Sequence, residues 1–274
     1  MVDIKKMLLL DSECYNDCTT YSDKFAKLAY WLLNEIDFVI GDKICKICEI
    51  EFYLFTDDHQ DIYTHRNDDQ STPNKWYFHK KGNTYKGGTY KGLDITFGLS
   101  NKPAFGGILI RGLSEIDNEP INCQSIVGPC KSVDYILEHT NSENINTLVP
   151  YIGDVSDNTK KIYLKPSVGR LPGTIYKGVR VGLTFKYPEW GCKSYRFLTW
   201  KLRDVEKNRQ NIVVDLLNQG VSAEYISKES GYSHKKLDAY KQLYESGKLL
   251  TLDEIKNMSS TGNNIVQVCG FLGI

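Results

Sequence analysis

The sequence has no excess of charge of either sign, since Lys and Arg number 34 and Asp and Glu number 34. Such a balance gives the whole chain no attraction for nucleic acid, a membrane surface or a polyanion, so only local charge can select a charged partner. It also has no long apolar run. No stretch approaches the eighteen or so apolar residues that a bilayer span needs. The start offers Lys5 and Lys6, but only Met7 to Leu10 before Asp11, too short for an export signal. An intracellular protein, cytoplasmic or nuclear, with no membrane partner is expected. Cysteine is sparse for a disulfide scaffold, with eight residues at Cys14, Cys18, Cys45, Cys48, Cys123, Cys130, Cys192 and Cys269, and these read as reduced thiols. Composition also excludes a fibre, a solenoid or a disordered tail. What the chain does have is 41% apolar and 12% aromatic residues over 274 positions, enough for a core without disulfides or metal.

Ser22 to Ile36 places Phe25, Leu28, Ala29, Leu32, Leu33 and Ile36 at helical spacing, with Ser22 as the expected N-cap. After a turn at Gly41-Asp42, β-branched and aromatic residues alternate with polar ones from Ile44 to Phe55 and predict a strand, followed by a polar loop over 57–72. Cys45 and Cys48 form a CxxC at the start of this strand. Residues three apart on a strand point to opposite faces, so a shared zinc is not the expected reading. From Trp76 to Arg111 the aromatic, Gly-rich text predicts hairpins of a mixed sheet. A short helix is expected over Cys130 to His139, and strands over Ile162 to Leu164 and Gly178 to Phe185. Helical spacing returns over Asn211 to Leu217, Ala223 to Glu229 and Lys235 to Tyr244.

Glu51 sits between Ile50 and Phe52 in the predicted strand, where burial would raise the basicity of its carboxylate, as a general base for water requires. The polar loop supplies His65, and Ile108-Leu109-Ile110 leads directly into Arg111. From spacing alone, a structural Glu51–Arg111 ion pair and a solvated His65 are the favoured explanation of these residues.

A resemblance adds to that reading. Glu49-Ile50-Glu51-Phe52-Tyr53-Leu54, His65 followed by Thr72-Pro73, and Phe78-His79-Lys80-Lys81-Gly82 come in order. Gly107-Ile108-Leu109-Ile110-Arg111, Val127-Gly128-Pro129, Arg180-Val181-Gly182-Leu183 and Tyr195-Arg196-Phe197 follow. Over about residues 22–203 this resembles the alkyladenine (methylpurine) DNA glycosylase family. The resemblance implies Glu51 as the base that deprotonates the attacking water and Arg111 as the arginine beside that water. It implies Tyr53 and His65 as contacts of a flipped base, with no metal or cofactor. Two positions depart from the family. The hairpin that carries a bulky tyrosine wedge reads Lys86-Gly87-Gly88-Thr89-Tyr90, leaving Tyr85 or Tyr90 for that role. The base-selecting asparagine falls at Asp94, an acceptor only.

Between residues 74 and 102, Lys75, Lys80, Lys81, Lys86, Lys91 and Lys102 are interleaved with aromatics, and Asp94 is the only acid. This reads as a nucleic-acid face or as a solvated lysine-rich surface. Near the C-terminus, Ser227, Gly231, Ser233 and Leu237 have the spacing of a helix-turn-helix, with His234, Lys235 and Lys236 opening its second helix. The same pattern serves a structural helical corner.

The expectation is an α+β protein with an alkyladenine DNA glycosylase-like domain at 1–203 and a helical, helix-turn-helix-like appendage at 204–274. The expected activity is that of a monofunctional DNA N-glycosylase of base excision repair, a monomer acting on a damaged or modified purine in double-stranded DNA. The residues assigned are Glu51 and Arg111 for catalysis, and Tyr53, His65, Asp94 and Tyr90 for the base. Lys80, Lys81, Lys86, Arg180, Lys235 and Lys236 are assigned to DNA. One rival is an N-glycosidase for a different base or a free nucleoside, and another is a DNA-binding protein that keeps the fold without the reaction.

Overall fold

The computed structural model describes residues 3–116, 125–259 and 262–273. Cys123, expected as a reduced thiol, lies outside them. The seven described cysteines form no disulfide. The protein is a mixed α+β chain that divides into two compact units, Met1–Ile175 and Tyr176–Ile274.

The first unit opens with α1 (Ile4–Met7) and α2 (Tyr21–Tyr30). The helix starts at Thr20 rather than at Ser22, because Thr20 and Asp23 form a reciprocal capping box that satisfies two backbone donors at once. It also stops early. A π-helical turn over Trp31–Glu35 follows, and β1 (Ile36–Ile40) takes over where a helix through Ile36 was expected.

The remaining strands of this unit are β2 (Lys43–Thr56), β3 (His59–Gln60), β4 (Trp76–Phe78), β5 (Lys80–Lys81), β6 (Thr84–Tyr85), β7 (Leu93–Thr96), β8 (Phe105–Glu115), β9 (Ser125–Val127) and β10 (Ile162–Pro166). Helices α3 (Pro129–His139) and α4 (Ile145–Leu148) lie between the last two. The sheet runs in the order β10-β1-β2-β8-β7-β4, with β3 on β2 and β9 on β8, while β5 and β6 form a separate ribbon. Each of these pairs is antiparallel.

Register decides what each face of the sheet carries, because directly opposed residues share a face and neighbours along a strand do not. Ile50 lies opposite Ile110, Phe52 opposite Ile108, Ile108 opposite Ile95 and Ile95 opposite Trp76. This face is core. Phe25 of α2 stacks on Phe52 at 4.7 Å between centroids and meets Phe97 edge-on at 5.7 Å. Aromatic pairs of this kind add about 0.5–1.5 kcal/mol each beyond the area they bury. The opposite face carries Glu49, Glu51 and Tyr53 of β2, Gly107, Leu109 and Arg111 of β8, Asp94 of β7 and Tyr77 of β4.

The second unit holds a short antiparallel pair, β11 (Tyr176–Gly178) and β12 (Arg196–Leu198), with α5 (Pro188–Gly191) between them. Helices α6 (Arg209–Asn218), α7 (Ala223–Ser230), α8 (His234–Gly247), α9 (Leu252–Asn257) and α10 (Asn264–Leu272) follow. The strand expected over Gly178 to Phe185 ends at Gly178, and Gly182 takes a left-handed φ of 83°. The division between units falls at residue 175, not at 203. Val179, Phe185 and Cys192 are buried in one core with Val213, Ile226, Leu237 and Val266, so the segment before residue 204 packs with the helices. No helix among the described residues is long and apolar enough to cross a membrane.

Candidate active site

The face opposite the aromatic core brings Glu51, Tyr53 and Arg111 together. Alternation along β2 points Glu49, Glu51 and Tyr53 the same way, and β8 supplies Arg111 from the neighbouring strand. The register is regular except at Glu49, which lies opposite Gly112 instead of Arg111 and recovers with Ile47 opposite Leu113. Such a slip locally re-aims the side chains around it. Glu51 is fully buried, and Glu49 and Arg111 are nearly so. The Tyr53 hydroxyl donates to Glu51 Oε2 at 2.8 Å, and Arg111 Nε lies 3.3 Å from Glu51 Oε1. The same Nε donates to Glu49 Oε1 at 2.8 Å. Burial alone would favour a neutral Arg111, but the charges of Glu51 and Glu49 outweigh it and hold the guanidinium firmly protonated.

One row of opposed residues crosses four strands from Glu51 through Leu109 and Asp94 to Tyr77. Two strand spacings separate the Glu51 and Asp94 positions by about 10 Å, and Leu109 forms an apolar step between them. Asp94 is buried, and both of its oxygens are occupied. His79 Nε2 lies 2.8 Å from Oδ1 and Gln70 Nε2 donates to Oδ2 at 3.2 Å. Asp94, expected to read a base, is held by His79 and Gln70, one on each carboxylate oxygen. Two glycines leave room for the pair. A Cβ at Gly107 would come within 2.3 Å of Asp94 Oδ2, and one at Gly92 within 2.6 Å of the His79 ring.

His65 packs edge-on against His79, with ring centroids 4.5 Å apart. Its Nδ1 is 3.3 Å from the Tyr77 hydroxyl and its Nε2 is 3.5 Å from Lys86 Nζ. The residue is exposed as a whole, yet both ring nitrogens face protein groups. Desolvation of those nitrogens, reinforced by His79 and Lys86 and opposed by Asp94, pushes its pKa down to about 4. His65 is therefore a neutral imidazole near pH 7. Lys86 donates to Nε2, which leaves the Nδ1 proton to face Tyr77.

No family model matches the chain. The uncharacterized protein L759 of Acanthamoeba polyphaga mimivirus is 36% identical over 208 residues, which span 71% of this chain and 94% of that protein. The chain belongs to the family of mimivirus protein L759. Unit 1 makes up a smaller share of the chain than the matched 71%, so the L759 likeness reaches into the second unit.

The basic strip looks different once folded. Lys75 pairs with Asp154, Lys80 with Asp69, Lys91 with Asp134 and Lys102 with Asp58, so acids distant in sequence neutralise four of the six lysines. Lys80, expected to contact DNA, is thus one of the four paired lysines. Lys81 is exposed, and Lys86 reaches His65 instead of an acid. Tyr85 packs edge-on against Phe78 and lies under Lys80. Tyr90 is 76% exposed at the end of a short helical turn over Gly88–Tyr90, where a hairpin was expected, and the Gly88 carbonyl accepts from Cys130 Sγ. Within the second unit Arg180 is a further correction. It is buried, donates to the Trp190 carbonyl at 2.8 Å and lies over the Tyr195 ring, so it does not present a cation to a phosphate.

Lys235 and Lys236 are exposed in the first turn of α8, whose N-cap Ser233 accepts from the Lys236 backbone N–H. The helical corner is present, with Gly231 in the left-handed region at the end of α7. Sequence reasoning passed over Glu49, Gln70, Tyr77 and His79 as site residues. For Glu49, the signal was the two-residue period linking it to Glu51 and Tyr53.

Proposed function

We propose that the chain is a monofunctional DNA N-glycosylase, with a first unit of alkyladenine DNA glycosylase type, that removes a modified purine from DNA. The observation that carries this reading is Glu51. It is a fully buried carboxylate, hydrogen-bonded by Tyr53 and ion-paired by Arg111, on a sheet face that also bears Leu109 and Tyr77, with the loop residue His65 packed against Tyr77. In this reading Glu51 accepts a proton from a water molecule whose oxygen attacks the anomeric carbon, while the C–N bond electrons leave with the base. The negative charge of Glu51 also stabilises the cationic character that develops on the sugar. His65 offers an imidazole face to the flipped base and exposed Tyr90 the wedge, while Lys81, Lys86 and α8 supply phosphate contacts.

A second reading, an N-glycosidase for a different base or a free nucleoside, draws on Asp94. A carboxylate locked to His79 and Gln70 gives a pocket other than one lined by an asparagine amide. One experiment tests both. Duplex and single-stranded oligonucleotides with single modified bases, and the matching nucleosides, are incubated with the protein. Abasic sites are detected by alkaline cleavage and released bases by chromatography. Release from DNA supports the first reading, release from nucleosides alone the second, and release from neither removes both.

A further inference from the structure

Uncompensated positive charge collects near the β10 edge of the sheet. Register sets Lys165, Asp37 and Lys46 directly opposite one another on β10, β1 and β2, so the three share a face. Phe38, the neighbour of Asp37, stacks on Trp76 in the core, so this row faces away from the core, as Glu51 does. Arg170 takes the acid. Its Nη1 donates to Asp37 Oδ1 at 3.0 Å, its Nε to the Asn34 carbonyl and its Nη2 to the Ile36 carbonyl. Lys46 and Lys165 are partly buried, and among the described residues neither ammonium group has a hydrogen-bond or ion-pair partner. Burial, with the charge of Arg170 behind it and Cys48 opposing, pushes the Lys46 ammonium below the ordinary lysine range. A bound anion would relieve both effects.

The loop that carries Arg170 is pinned at every third residue. Besides Arg170, the Ser167 N–H donates to the Glu35 carbonyl at 2.8 Å, and the Gly173 N–H donates to Asn34 Oδ1 at 2.9 Å while Asn34 Nδ2 donates back to the Gly173 carbonyl at 3.3 Å. A Cβ at Gly173 would lie 3.5 Å from Lys46 Nζ, so the loop closes over that ammonium group. Between the pins stand Val168 and Leu171, 93% and 86% exposed. Rigidly displayed aliphatics beside unpaired cations suit a polyanion with apolar parts, and a nucleic-acid strand alternates phosphates with sugars. Lys46 lies five residues from Glu51 along β2, about 16 Å.

We propose that Lys46 and Lys165 take backbone phosphates of a DNA strand beside the candidate active site, with Val168 and Leu171 of the pinned loop against the adjoining sugars. The inference rests on DNA being the substrate. Because the loop is already ordered, binding costs it little further entropy.

The test measures binding of a fluorescent DNA duplex to the full chain over a series of salt concentrations. Lys46→Met keeps an unbranched apolar stem and removes the charge, so the log–log slope should flatten by roughly 0.9, and by roughly 1.8 with Lys165→Met added. Val168→Ser combined with Leu171→Ser should weaken binding at an unchanged slope. If Lys46→Met does not fold, acetylation of Lys46 in the parent chain, read by mass spectrometry, decides, and DNA should slow it. An unaltered slope in folded Lys46→Met, or equal acetylation with and without DNA, overturns the proposal and leaves DNA binding by the parent chain, and with it the glycosylase reading, intact. A flattened slope without base release from any oligonucleotide upholds the contact and removes the glycosylase reading. A parent chain that binds no duplex overturns both, and its binding of phosphatidylserine vesicles instead would give the loop to a lipid surface.

Discussion

Gly107 lies opposite Tyr53 on the neighbouring strand, and the space that a side chain would fill at Gly107 holds the Asp94 carboxylate. The two halves of the polar face, Glu51 with Tyr53 and Asp94 with His79, thus meet over a position that only glycine fits.

Gly107→Ala should therefore be strongly disruptive for so small a change. Forcing a methyl into the space 2.3 Å from Asp94 Oδ2 and 2.6 Å from Gln70 Nε2 is overpacking. The expected loss is about 1–3 kcal/mol in urea unfolding. Adding Asp94→Ala should recover part of that loss, and strict additivity of the two changes would show that the clash is not the cause.

Tyr53→Phe keeps the ring and removes the hydroxyl that donates to Glu51 at 2.8 Å. Loss of one hydrogen bond to a charged group is worth about 1.5–3 kcal/mol. Base release should fall by about ten- to a hundredfold if that donor orients Glu51 in the transition state. Equal rates in single-turnover assays would assign Tyr53 a packing role alone.

His65 should titrate near pH 4 in an imidazole NMR titration, against about 6.5 for an unperturbed histidine. Its folded-state pKa lies below its unfolded one, so its contribution to stability is complete above about pH 6.5 and is lost as pH falls from there towards 4. Urea unfolding at pH 7 and pH 4.5 should show His65→Gln losing less stability over that interval than the parent chain. A folded-state midpoint near 6.5 would contradict the environment described for its ring nitrogens.

Lys235→Glu combined with Lys236→Glu should leave the melting temperature unchanged, since both side chains are exposed. If α8 touches phosphates, the log–log salt dependence of DNA binding should flatten by roughly 0.9 for each phosphate that the helix no longer neutralises. An unaltered slope would assign the corner to packing.

Much of this architecture was legible in the sequence. The alternation through β2, the helical spacing of Phe25, Leu28 and Ala29, and the corner at Gly231 each reflect local physics, and the structure has an element at each. What sequence could not display was pairing at a distance. Asp69, Asp134 and Asp154 neutralise lysines that look like a basic strip when only residues 74 to 102 are in view. Asp94 looks available until His79 and Gln70 are folded onto it, and Arg180 looks like a surface cation until Trp190 and Tyr195 enclose it. The limits of α2 were misjudged for a local reason, because the Thr20–Asp23 capping box outcompetes Ser22.

Glu51→Gln is the most direct test of Glu51 as the base that activates water. The amide keeps the shape and can still accept at one oxygen, but it cannot take the proton. On whichever modified substrate the parent chain cleaves, single-turnover release should fall by about two to four orders of magnitude. Binding of the same DNA should persist. Release at the parental rate by a folded Glu51→Gln protein would contradict that role for Glu51.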